Sequence, residues 1–307
     1  YLGTIRFLRA DPFSEVEVMV HEAAESDPEG QWAGEIALLQ ALLAMYRGET
    51  PRGLALAQGA IEQLPPDSLF HGLATRALSA LSLMDGDLAS AERLLEHDMA
   101  ASERAGDRLG HSADLRRLGS LAFLRGELRK AEIFYTRALE LSRDSGGRLW
   151  PLAGRIVIHL AELALEKNDL VLAEAQVAQA SNLLEQILPG WNSESYVLRA
   201  RLDHARGDEA GAQAMMRAAL DRARSTETSM DDVYIELQAA RLAIWQGDLA
   251  EAERWAASWT TGGEPDARSP AQDIEAMIRS HLFQEVARTT LARFHLARGE
   301  PASAIEL

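Results

Sequence analysis

Leu118-Gly-Ser-Leu-Ala-Phe-Leu-Arg-Gly-Glu-Leu-Arg-Lys-Ala-Glu-Ile-Phe-Tyr-Thr-Arg-Ala138 holds two apolar stripes joined by one tight turn. Leu115, Leu118 and Ala122 before the turn, and Ala131, Tyr135 and Ala138 after it, recur at three- and four-residue steps, the spacing of one helix face. Gly126 can take the left-handed conformation that ends the first helix. Glu127 then stands where an acidic side chain can cap free N–H groups and meet the positive end of the next helix dipole. Ala131 lets the two helices approach closely.

The same turn returns along the chain. It reads Gly48-Glu49…Gly53, Gly86-Asp87…Ala91, Gly126-Glu127…Ala131, Asn168-Asp169…Ala173, Gly207-Asp208…Ala212, Gly247-Asp248…Ala252 and Gly299-Glu300…Ala304. Successive turns are 38, 40, 42, 39, 40 and 52 residues apart. Self-similarity at a fixed period of this size is the mark of a solenoid, in which each helical hairpin buries its apolar face only against its neighbours. Pro51 and Pro301 fall in the first turn of a second helix, where a missing N–H costs little. The polar stretches 104–108, 144–148 and 225–229 read as joints between hairpins, and the Gly/Pro-rich stretch 260–270 accounts for the one long step.

The unit at 112–145 is similar to the tetratricopeptide repeat through Leu115, Leu118-Gly119, Ala122, Ala131, Tyr135 and Ala138. The next follows through Leu160, Ala161, Ala164, Ala173, Val177 and Ala180. The fold expected is all-α: a right-handed α-solenoid of about seven tetratricopeptide-like hairpins of ~40 residues, forming a single domain over 1–307.

Composition narrows the function. Lys+Arg is 31 against Asp+Glu 47, a formal charge of −16, so the surface as a whole does not suit a phosphate backbone. Lys130 and Lys167 are the only lysines; the other cations are arginines, suited to bidentate recognition of carboxylate or phosphate. Cysteine is absent, which removes thiol nucleophiles and thiolate zinc sites and fits a cytoplasmic location. There is no P-loop, and no Gly-x-Ser-x-Gly. His21-Glu22 lacks the second histidine of a zinc helix, and no two of the eight histidines are three or four residues apart. No catalytic residue, metal ligand or cofactor is assigned, and the chain reads as a binding protein without an enzyme's machinery. No apolar run is long enough for a membrane helix.

In a tetratricopeptide superhelix the first helix of each hairpin lines the inner groove. Aligning those helices here gives four columns. One reads Arg76, Arg116, Ile158, Val197, Leu237; a second Ala80, Ser120, Glu162, Arg201, Arg241; a third Leu73, Ala113, Arg155, Glu194, Tyr234; the fourth Leu83, Phe123, Leu165, His204, Ile244. An acidic chain thus places arginines where its inner surface should be. Arg155, His159 and Glu162 share one stripe, with Trp150 at the mouth of the same helix and Trp191 at the corresponding joint one repeat later. The candidate ligand residues on the concave face are Trp150, Arg155, His159, Glu162, Arg201, Tyr234, Arg241 and Arg116, a polar, aromatic-edged groove for a ligand with hydrogen-bonding or acidic groups.

Three stretches resemble the superhelical sensor region of MalT-like, LuxR-type transcriptional activators of the STAND class. They are Gly86-Asp-Leu-Ala-Ser-Ala-Glu92; Pro151-Leu-Ala-Gly154 with Leu160-Ala-Glu-Leu163 and Asn168-Asp-Leu170; and Ala200-Arg-Leu202 with Gly207-Asp208. The resemblance implies an effector-sensing module, with a nucleotide-binding switch before the superhelix and a helix-turn-helix domain after it. In the maltotriose regulator of that family the effector is a sugar. On this reading the chain is a segment of a longer protein, its partner is a small molecule, peptide or protein on the concave face, and it makes no direct contact with nucleic acid or membrane. The alternative is a stand-alone tetratricopeptide scaffold that binds protein segments or peptides.

Overall fold

The computed structural model describes residues 13–66, 68–186, 192–223, 229–260 and 281–306. Trp191, most of the 225–229 joint and most of the 260–270 insertion lie outside them. Among the described residues fifteen α-helices follow one another, with no strand beyond an isolated bridge between Arg143 and Leu149. After α1 (Phe13–Glu25) come seven hairpins. They are α2 (Ala33–Tyr46) with α3 (Thr50–Gln63), α4 (Leu69–Met84) with α5 (Leu88–Ala105), α6 (Arg108–Leu124) with α7 (Leu128–Leu141), and α8 (Gly154–Glu166) with α9 (Leu170–Glu185). Then follow α10 (Ser193–Ala205) with α11 (Glu209–Ala223), α12 (Ser229–Gln246) with α13 (Leu249–Thr260), and α14 (His281–Ala297) with α15 (Pro301–Ile305). This is an all-α solenoid.

The hairpin turns have the conformation their sequence demands. Gly48, Gly86, Gly126, Gly207, Gly247 and Gly299 all have positive φ, and Asn168, at φ 58°, is the one described non-glycine that does. The acidic residue after it behaves in two ways. Asp87, Asp169, Asp208 and Asp248 each accept a hydrogen bond from the backbone N–H three residues on. Glu49, Glu127 and Glu300 make no such cap, contrary to the expectation for Glu127. Their extra methylene carries the carboxylate past the helix end, where Glu127 meets Lys130 at 3.4 Å and Glu300 meets His295 at 2.9 Å.

The core is a row of small clusters, each bridging one hairpin to the next. Leu115, Ala122, Ala131, Tyr135 and Ala138 pack with Ile156 and Leu163 of the following unit. Val157, Ile158, Ala161, Val177, Ala180 and Leu184 then pack with Leu198 of the one after. Ala91, Ala131, Ala173, Ala212 and Ala252, the small residues of the turn motif, are fully buried where paired helices meet.

One ionic group is built into this core. Arg76 on α4 donates to Asp98 on α5 at 2.6 Å and lies 3.6 Å from Asp114 on α6, all three buried. Ser102 donates to Asp114 at 3.3 Å. Burial raises the Asp114 carboxyl to about 7, with the Asp98 charge adding to the effect against the pull of Arg76.

The solenoid also curls back on itself. Helix α14 of the seventh hairpin comes within 8 Å, Cα to Cα, of α4 in the second, so the first helices ring an inner channel.

Candidate functional site

Three of the four aligned columns line that channel. Every member of the columns beginning Leu73, Ala80 and Leu83 is partly exposed. The column beginning with Arg76 is different, because Arg76, Ile158, Val197 and Leu237 are buried. It faces the next hairpin, and Arg76 belongs to the core. Arg116 alone in that column keeps partial exposure.

Helix α6 supplies Arg116 and Ser120, α8 supplies Arg155, His159 and Glu162, α10 supplies Glu194 and Arg201, and α12 supplies Tyr234 and Arg241. Their contacts run from helix to helix. Arg116 reaches His159 Nε2 at 3.4 Å, and His159 Nδ1 lies 4.0 Å from Glu162. Glu162 accepts from Arg201 at 3.2 Å, and the same guanidinium donates to Glu166 at 2.8 Å. Beyond Arg201, Tyr234 and Arg241 feel the Glu162 and Arg201 charges. Contacts thus link Arg116, His159, Glu162 and Arg201, while Arg155, Tyr234 and Arg241 stand near enough for their charges or burial to be coupled to this group. Trp150 is apart from them, with the Arg108 guanidinium 5.7 Å over its ring. Arg108 precedes Arg116 by eight residues, about 12 Å along α6. The partly exposed Trp150 immediately precedes the short 3-10 turn Pro151–Ala153 that leads into α8.

Burial shapes the electrostatics of the strip. Burial, then the nearby Arg117 and Arg155 charges, lower the Arg116 pKa to about 9, which leaves it protonated at neutral pH. Burial and the charges of Arg201 and Arg293 lower that of Arg241. Burial by itself would raise the Glu162 carboxyl, but His159 beside it and the Arg201 guanidinium outweigh that and hold it below the usual range. The Tyr234 phenol is pushed up by burial and by Glu162 and Glu194.

Tyr135 and Trp245 were not legible as site residues, and His204 stood only as a member of a groove column. Tyr135 comes from α7, yet its ring stacks on His159 with centroids 5.1 Å apart and its hydroxyl reaches Ser120 at 3.3 Å. The signal was Gly119, whose lack of a side chain leaves room for that ring. Trp245, one turn after Arg241, lies under its guanidinium at 5.4 Å, and His204 stacks on the same indole at 5.9 Å. Among the described residues no three His, Asp or Glu side chains are grouped to hold a metal ion. No helix among them is long and apolar enough to cross a membrane.

Seven short hairpins ringed by their first helices define a tetratricopeptide-like superhelical domain. Residues 34–307 match the MalT-like TPR region, and the chain belongs to that family. No curated protein matches it. Among solved structures it is similar to BtubC (BKLC) from P. vanneervenii, at 18% identity and TM-score 0.50, over 67% of this chain and 87% of that one. It is also similar to a chain of the APC/C hetero-tetramer Cut9-Hcn1, at 11% identity and TM-score 0.41, over 93% of this chain and 54% of that one. The first of these likenesses concerns the fold alone.

Proposed function

We propose that this superhelix is the effector-sensing domain of a MalT-like, LuxR-type transcriptional regulator, and that its effector binds the inner strip formed by Arg116, Arg155, His159, Glu162, Arg201, Tyr234 and Arg241. The observation that carries the reading is that strip: a continuous run of charged and aromatic groups, partly exposed, on rigid helices facing a ringed channel. Rigid placement of arginine forks and aromatic faces is what small-molecule recognition requires. The domain works in the cytoplasm on this reading, and nucleotide-binding and DNA-binding domains belong to other parts of the full-length protein. A scaffold for protein segments is the competing reading.

The test is a thermal-shift screen of the purified chain against metabolites, followed by calorimetric titration of wild type, Arg201→Ala and Arg155→Ala. Loss of roughly 1.5–3 kcal/mol of affinity in a folded variant supports the reading. Affinities equal to wild type in both variants refute the groove.

A further inference from the structure

The arginines of the channel differ from those elsewhere in their partners. Arg47, Arg76, Arg199 and Arg222 are buried or half-buried, and each bonds a carboxylate. Arg241 is half-buried too, but among the described residues it forms no hydrogen bond or ion pair; its sole contact of that kind is the Trp245 ring. The charges nearest it in influence are the cations Arg201 and Arg293. Arg201 arrives from α10 already bonded to Glu162 and Glu166, the exposed Arg293 stands on α14, and the Glu162 charge acts on Arg241 without a bond to it. The half-buried Tyr234 hydroxyl beside them also has no hydrogen-bond partner among the described residues.

A guanidinium withdrawn from water without a bonded counter-charge costs free energy. With 47 acidic residues in the chain, a carboxylate on α10 or α14 could have paired with it. We infer that the effector is a small organic anion, whose carboxylate or phosphate group is held between Arg201, Arg241 and Arg293 while Tyr234 donates to it. The inference rests on the sensor reading above and deepens it. Arg241 supplies the planar fork that either anion accepts. Trp245, 39% exposed and backed by His204, offers a flat face to the organic part of the molecule.

The experiment is thermal denaturation of the purified chain with inorganic phosphate, citrate or glucose 6-phosphate, each against sodium chloride at equal ionic strength, with maltotriose as the neutral comparator. We expect at least one anion to raise the midpoint, citrate marking a carboxylate ligand and the phosphates a phosphate ligand. Arg241→Gln and Tyr234→Phe should lose most of the shift, and the exposed Arg129→Gln should keep it. Titration calorimetry should give a Kd about tenfold weaker or more for Arg241→Gln. No shift with any of the three anions, or an equal shift in Arg241→Gln, overturns the inference. Tight binding of maltotriose that Arg201→Ala weakens and Arg241→Gln leaves alone also overturns it, while the sensor reading stands. Retention of wild-type binding by both Arg201→Ala and Arg155→Ala removes the reading itself.

Discussion

The ring of Tyr135 fills the space that a side chain on Gly119 would occupy: a Cβ at that position would lie 2.5 Å from Cε1. The two residues face each other across the α6–α7 hairpin. Their close approach lets the tyrosine pass from the second helix to the inner face, where it stacks on His159. Core packing and channel surface are thus one structure here. Gly119→Ala should therefore destabilise the chain by about 1–3 kcal/mol through overpacking. It should also alter the His159 ring environment, visible as a shifted imidazole resonance. An unchanged urea midpoint would show that the ring can retreat at no cost.

A second expectation concerns pH. Asp114 is raised from its ordinary value of 3.8 to about 7 because it is buried beside Asp98. A raised folded-state pKa means that the protonated carboxyl stabilises the fold. That contribution is complete below about pH 3.8 and is lost as pH rises through about 7. Asp114→Asn, neutral at every pH, should become more stable relative to wild type between pH 5 and pH 8, by on the order of 1–3 kcal/mol. Comparing the two proteins at each pH cancels other titrating groups, such as the buried His111. A constant difference across the range would show that Asp114 does not titrate there.

The hairpin turns offer a third test, because aspartate and glutamate behave differently in them. Asp169 accepts from the Leu172 N–H at 3.0 Å, whereas Glu127 makes no cap. Asp169→Ala should cost about 1 kcal/mol, and Glu127→Ala clearly less, since only an exposed ion pair is lost. Equal losses in chemical denaturation would refute the distinction.

The fold was legible because its signals are local. A left-handed residue, an acidic residue and a small residue recur in fixed order, and each acts within a few residues of itself. The phase of the superhelix is not local. Arg76 and Arg116 occupy the same register of successive first helices, yet one is locked in the core by Asp98 and the other reaches the channel. Helical periodicity identifies faces but does not say which face the next hairpin covers. The side of Trp150 that meets Arg108 is set in a related way, because a joint's direction depends on hairpin docking. In the sequence Tyr135 reads as scaffold because it lies on a second helix, and only the packing against Gly119 carries it across.

Ion pairs between hairpins were the least visible contacts, since their partners stand about one repeat apart. Arg201 and Glu162 are separated by 39 residues, and Lys167 and Glu132 by 35. The first of these pairs carries the last prediction. Arg201 is 13% exposed and Glu162 25%, so water screens them only in part. Arg201→Ala leaves Glu162 half-buried with only His159 of its two neighbouring bases, and should cost about 1–3 kcal/mol. Its carboxyl should then titrate at higher pH, because burial, which pushes it up, is no longer opposed by the guanidinium. Glu162→Ala leaves Arg201 bound to Glu166 at 2.8 Å and should cost less. The double variant should lose less than the sum of the two single losses, with a coupling of at least about 0.5 kcal/mol. Strict additivity would mean that the pair does not hold Arg201 in position. The strip would then be a row of independent side chains, and the preorganisation on which the binding proposal depends would be absent.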